Sequence, residues 1–101
     1  MHKTKEVQET AVLVGLITQK QSPDLVQEYL DELKFLATTL NIKTVKIFTQ
    51  RVDQAHKSTF IKAGKLAEVE SYVEENNIDL IIFDDDLSSS QVRNLEEVFK
   101  E

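Results

Sequence analysis

Residues 79–97 read DLIIFDDDLSSSQVRNLEE, and the fold of this stretch decides how the rest of the chain is arranged. Leu80-Ile81-Ile82-Phe83 is a continuous apolar run, rich in β-branched and aromatic residues, of the kind presented by a strand buried on both faces. Such strands belong mostly to parallel sheets covered by helices. Asp84, Asp85 and Asp86 follow, then a serine cluster. Ser88 is a favourable N-cap, with Gln91 three residues on, where a capping box places Glu or Gln. Val92, Leu95 and Phe99 recur at helical spacing, and Val98 widens the stripe. The stretch reads as a central strand, a short acidic turn and a helix.

Aspartates at the carboxyl end of such a strand have two readings. Ligands of open α/β sheets sit at that edge, which favours a metal or phosphoryl-transfer site. Acidic residues just before a helix are also favoured by capping and by the macrodipole, with no ligand involved. The structural reading is the stronger of the two.

The same grammar runs through the preceding residues. Residues 1–9 are polar and are expected to fray. Ala11–Ile17 (AVLVGLI) is a second buried strand, and Gly15 within it implies close approach of a neighbouring element. Ser22-Pro23 is a helix start, a cap followed by Pro at the first helical position. Leu25, Val26, Tyr29, Leu30, Leu33, Leu36, Ala37 and Leu40 then give a long helix with a broad apolar face. Asn41 is expected to close it in the left-handed conformation. Thr44–Thr49 (TVKIFT) alternates, with Val45 and Ile47 on one face and Thr44, Lys46 and Phe48 on a wetter one, as near a sheet edge. Residues 52–58 read as a loop with His56 solvated. Gly64 and Lys65 open a helix through about Asn76 that buries Leu66, Val69 and Val73. The order β-α-β-loop-α-β-α predicts an α/β three-layer sandwich around a mainly parallel sheet with right-handed crossovers, a single domain over residues 1–101.

Composition narrows the chemistry. The 101 residues contain no Cys, so disulfides and thiol chemistry are excluded. His2 and His56 are far apart, and no apolar run approaches a membrane span. The N-terminus has no signal-peptide core, so a cytoplasmic protein is the expectation. A net charge of −6 argues against wholesale nucleic-acid binding. The charge is unevenly placed, however. Residues 41–65 carry Lys43, Lys46, Arg51, Lys57, Lys62 and Lys65 against Asp53, a balance of +5, while the remainder carries −11. A basic segment in an acidic domain is expected where one face meets phosphate, although a solvated strand and loop would look the same. A phosphate loop at Gly64-Lys65 fails on spacing, which would require Gly at 59 and Ser or Thr at 66 where the chain has Thr59 and Leu66. What remains there is a helix start whose free N–H groups, beside Lys62 and Lys65, can hold an anion.

The stretch around the aspartates resembles a motif in the N-terminal domain of the HflX family of ribosome-associated GTPases. The matching residues are Phe83, Asp84, Asp85, Leu87, Ser88, Ser90, Gln91, Arg93, Asn94, Leu95 and Glu96; Ser89 stands where the family usually has Pro. Further similarity lies in the apolar run ending at Val14-Gly15, in LKFLATTLN with Asn41 in a Gly place, in Gln50-Arg51, and in Thr59–Lys65, where Lys62 replaces a Gly. The resemblance covers nearly the whole chain but only part of the family's protein. It implies a domain that continues through another strand into a two-helix segment and a separate GTPase domain, which would bind GTP and Mg. None of the GTPase signatures is present in this chain.

The function implied is a non-catalytic module that docks the GTPase on the large ribosomal subunit and its RNA, with Arg51, Lys57, Lys62, Gly64 and Lys65 as the RNA- or anion-binding residues. The family-motif residues are Asp84, Asp85, Ser88, Gln91, Arg93 and Asn94. No cofactor or metal is expected in the chain itself. The alternative is a stand-alone nucleotide-binding domain that holds Mg-ATP between the acidic turn and the lysine loop. It lacks a nucleophile–base pair and a Rossmann fingerprint. A receiver-like interaction domain fits less well, since its acids come from separate strands. The expected partners are the large subunit, the downstream GTPase domain and a second copy through an open sheet edge beside Asp79–Phe83. The basic loop and the acidic turn should share the carboxyl rim of the sheet, with Lys57, Lys62 and Lys65 projecting away from the aspartates.

Overall fold

A computed structural model describes residues 8–99. The elements follow in the order β1 (Glu9–Ile17), α1 (Pro23–Thr39), β2 (Ile42–Arg51), α2 (Ala63–Glu75), β3 (Leu80–Phe83) and α3 (Ser89–Phe99). The three strands form one parallel sheet in the order β2-β1-β3. Side chains of β1 alternate between two cores. Leu13 packs with Val26 and Leu30 of α1 on one face. Val12, Val14 and Leu16 pack on the other with Val69 of α2, Phe60 and Ile61, joined at their margin by Leu87 and Phe99. The result is the expected three-layer α/β sandwich, with α1 on one side and α2 and α3 on the other.

The strand buried on both faces is β1, not β3. Ala11 through Val14 are wholly inaccessible, whereas all four residues of β3 are only half-buried. Reading the apolar run at Leu80–Phe83 as central is therefore an error of position. With four residues it lies at an edge, and its side chains join the margins of the two cores, Ile81 and Phe83 on one face and Ile82 on the other. Gly15 does mark a close approach: a Cβ there would lie 3.2 Å from Leu30 Cδ1 and 3.4 Å from Val26 Cγ1, so α1 is seated directly on it.

Both remaining strands exceed their sequence limits. β1 begins at Glu9, and residues 1–7 lie outside the described residues. β2 runs from Ile42 to Arg51, so Arg51 ends a strand rather than opening a loop. The face assignment of Phe48 is also corrected. The β1–β2 register slips between Ala11 and Val12, whose partners are Thr44 and Lys46, leaving Val45 as an extra residue. This bulge resets the alternation. Val45 and Phe48 both reach the α2-side core, while Ile47 faces α1. Phe48 is buried and meets Tyr72 edge-on at 5.7 Å. Lys46 lies 5.8 Å from the centre of both rings.

Helix ends follow local chemistry. Ser22 Oγ accepts from the Leu25 N–H at 3.2 Å, and Pro23 opens α1. Asn41 closes it at φ 63°, and Asn77 after α2 sits at φ 50°. The start of β1 and the entry to β3 are tied at Thr10. Its N–H donates to Asp79 Oδ2 (2.8 Å), and its carbonyl accepts from the Asp79 N–H (3.1 Å).

Candidate nucleic-acid interface

Parallel strands bring the connections after β2 and β3 to one rim. There the basic segment 51–65 and the acidic turn 84–86 lie on either side of β1, as the alternation implied. Residues 52–58 form a loop with His56 exposed, as the sequence indicates, but the loop is anchored to the sheet. Val52 is buried, and its N–H donates to the Ile17 carbonyl at 3.0 Å. His56 and Phe60 exchange two backbone hydrogen bonds, each 3.0 Å, which folds residues 56–60 into a tight hairpin. Phe60 holds φ 72°, an unfavourable conformation for a bulky side chain. Burial of its ring against Phe83, edge-on at 5.5 Å, offsets that cost. Nothing in the local composition announces this anchor; the only signal is the isolated Phe60-Ile61 pair amid polar residues.

The loop is held from outside by α3. Ser88 Oγ accepts from the Gln91 N–H (3.1 Å) and Gln91 Oε1 accepts from the Ser88 N–H (2.9 Å), which completes the capping box. The same Gln91 side chain then donates through Nε2 to the His56 carbonyl at 2.8 Å. One turn further, Asn94 Nδ2 donates to the Ser58 carbonyl at 3.1 Å. Gln91 is the one polar residue buried with the core among the described residues. Ser88, Gln91 and Asn94 of the recognisable motif thus form a clamp on the basic loop. Arg93 is exposed on the same helix.

The loop presents its charges outward. Arg51, Lys57 and Lys62 are exposed, and Lys65 is half-buried in a 3.0 Å ion pair with Glu68. Among the described residues none of these four lies within ion-pair distance of Asp84, Asp85 or Asp86. Helix α2 starts without a side-chain cap. Lys62 is its N-cap, and the Lys62 N–H donates to Gln50 Oε1 at 2.9 Å. Its first-turn N–H groups therefore have no acceptor within the helix, which leaves partial positive charge beside the lysines. Gly64 lies in this turn, exposed, with no positive φ, and a Cβ there would meet nothing within 4 Å. Neither packing nor backbone conformation calls for glycine at this position.

The acidic turn is tied to β1 and closed by one of its own side chains. The Asp84 N–H donates to the Val14 carbonyl at 2.9 Å, and Asp85 Oδ1 accepts from the Asp86 N–H at 2.7 Å. Burial, and secondarily the neighbouring Asp85 charge, push the Asp84 carboxyl above its usual range. Among the described residues no three His, Asp or Glu side chains converge to hold a metal ion. A groove of about 300 Å³ runs between β3 and α3, lined by Ile81, Phe83, Leu87, Val92 and Phe99.

Comparison with known proteins places this architecture. A family profile described as "GTP-binding GTPase N-terminal" matches residues 27–101. The chain is 42% identical over 90 residues to the GTPase HflX of Flavobacterium psychrophilum, covering 89% of this chain and 22% of that protein. It is 35% identical over 97 residues to the GTPase HflX of Caldanaerobacter subterraneus, covering 96% and 22%. Against the GTPase HflX of Alkalihalophilus pseudofirmus the identity is 37% over 87 residues, covering 86% and 20%. The chain spans about a fifth of the length of these curated relatives.

Proposed function

The chain belongs to the HflX family of GTPases, whose N-terminal region it matches, and from that premise we propose that it is the ribosome-docking module of such a protein. In this reading the segment Arg51–Lys65 contacts RNA of the large ribosomal subunit, and a GTPase domain elsewhere in the protein supplies hydrolysis. What carries the reading is the clamp. Side chains of the family motif, Gln91 and Asn94, spend their hydrogen-bonding capacity holding the backbone of a loop whose own side chains are exposed and basic. A preorganised cationic loop loses less entropy on meeting phosphate than a free one. The uncapped start of α2 adds backbone donors to the same surface, and Gly64 leaves them open to close approach. The aspartates have structural work of their own at the neighbouring turn.

Co-sedimentation of the chain with purified large subunits over a salt series tests this. Replacing Arg51, Lys57, Lys62 and Lys65 together with Ala should abolish most binding. Single replacements should lower the salt slope by roughly one unit for each phosphate no longer engaged. Asp85→Asn with Asp86→Asn should leave binding intact or strengthen it. A quadruple variant that binds normally, with an aspartate variant that fails, would make the acidic turn the functional surface. The chain alone is expected not to turn over GTP.

The open edge of β3 carries a separate expectation. Its outer backbone groups face away from β1, and unpaired edges recruit a strand. We expect concentration-dependent association of the isolated chain at this edge; a strictly monomeric species at high concentration would sink the idea.

A further inference from the structure

We propose that one flank of α1 is a docking surface for a basic amphipathic helix. The helix carries more apolar surface than the sheet covers. Val26, Leu30 and Ala37 are buried on the sheet, whereas Tyr29, Leu36 and Leu40 are 40%, 51% and 72% exposed. At 3.6 residues per turn these three, with half-buried Leu25 and Leu33, form one continuous stripe along the side of the helix. Phe35, also exposed, points elsewhere and is not part of it. A right-handed crossover from β1 through α1 to β2 turns this stripe toward β3 and away from β2. On that face α1 is the helix that packs against the sheet, and Ile82 of β3 lies at the margin of its core, half-buried. The stripe and the outer face of β3 therefore make two walls of an apolar notch.

Charge decides the occupant. The outer rim of the stripe is formed by Glu28 and Glu32, both exposed and one turn apart. A helix seated in the notch would lie along this rim, so apolar residues at three- and four-residue steps flanked by Lys or Arg would complement it. A second copy of α1 would set the same glutamates against each other. The surface is separate from the Arg51–Lys65 loop, and its occupation does not depend on RNA binding.

The test uses two synthetic helical peptides with identical leucine stripes, one flanked by lysines and one by glutamates, measured by fluorescence anisotropy against the whole chain. The lysine peptide should bind, weaken with salt, and show about tenfold lower affinity toward the Leu36→Ser/Leu40→Ser variant. Both leucines are exposed, so circular dichroism should find that variant folded. A chain carrying Glu28→Lys and Glu32→Lys should reverse the preference and select the glutamate peptide. Equal binding of both peptides by the unmodified chain, undiminished binding by the serine variant, or failure of the charge reversal to switch preference would each overturn the proposal. A dimer of the unmodified chain that the serine variant abolishes would also overturn it, by making a second copy the occupant.

Discussion

Two turns leave the same rim of the sheet and are held in opposite ways. The acidic turn after β3 is short, tied to β1 by the Asp84 N–H on the Val14 carbonyl and closed by the Asp85 side chain on the Asp86 N–H. The basic loop after β2 is longer and carries its own hairpin, yet its position depends on Phe60 buried beneath it and on Gln91 and Asn94 reaching across from α3. A loop secured through its backbone and one buried ring leaves its charged side chains unconstrained. The turn richest in charge is therefore the simpler object, and the loop with weaker local signals has the more elaborate support.

The widest gap between the two should appear on removing Phe60. Phe60→Ala is expected to lower stability by about 3–4 kcal/mol in urea unfolding, whereas Asp86→Asn should change it by less than roughly 0.5 kcal/mol. Comparable effects would mean the loop is not anchored by that ring. Gln91→Ala removes half of the capping box and the bond to His56, and should cost about 1–2 kcal/mol. It should also speed hydrogen exchange at the amides of His56 and Phe60 more than elsewhere. Uniform acceleration across the chain would show that Gln91 serves only its own helix.

Gly64→Ala separates stability from binding. Alanine suits a helix better than glycine and meets no obstruction here, so stability should rise by up to about 0.5–1 kcal/mol. Ribosome binding should weaken if a phosphate approaches that backbone; unchanged binding would remove Gly64 from the interface. The smallest effect belongs to Asp84. Its raised folded-state value makes its contribution greatest below the ordinary carboxyl range near 3.8 and progressively lost as pH rises through the shifted value. Asp84→Asn should flatten that decline on the acid side of neutrality. A steeper decline in the variant would reverse the assigned sign.

Most of the element order is legible in the sequence because caps and periodicity are local. Ser22-Pro23, Asn41 and the Ser88–Gln91 box each act within a few residues, and each takes the role in the structure that its residue types imply. The errors lie where partners are distant. Leu80–Phe83 looks central because an apolar run does not reveal how many strands flank it. A strict alternation puts Phe48 on the wrong face because a bulge at Val45 adds one residue to the strand. For the candidate site, the uneven charge points to the segment 51–65, but nothing near His56 foretells that Gln91, 35 residues later, holds its carbonyl.

The tie between Thr10 and Asp79 joins residues 69 apart, and that separation bears on the order in which the protein is made. β1 precedes both of its flanking strands in the chain, and β3 follows only after β2 and α2. Until Phe83 has been added, β1 has β2 on one side and no partner on the other, with an unpaired backbone edge and apolar side chains open to other chains. Early folding can therefore rest on β1, α1 and β2, while closure of the second flank waits for a long-range contact of the slow kind. Refolding should be correspondingly sensitive to Asp79, because Asp79→Ala weakens the seam on which that last closure depends.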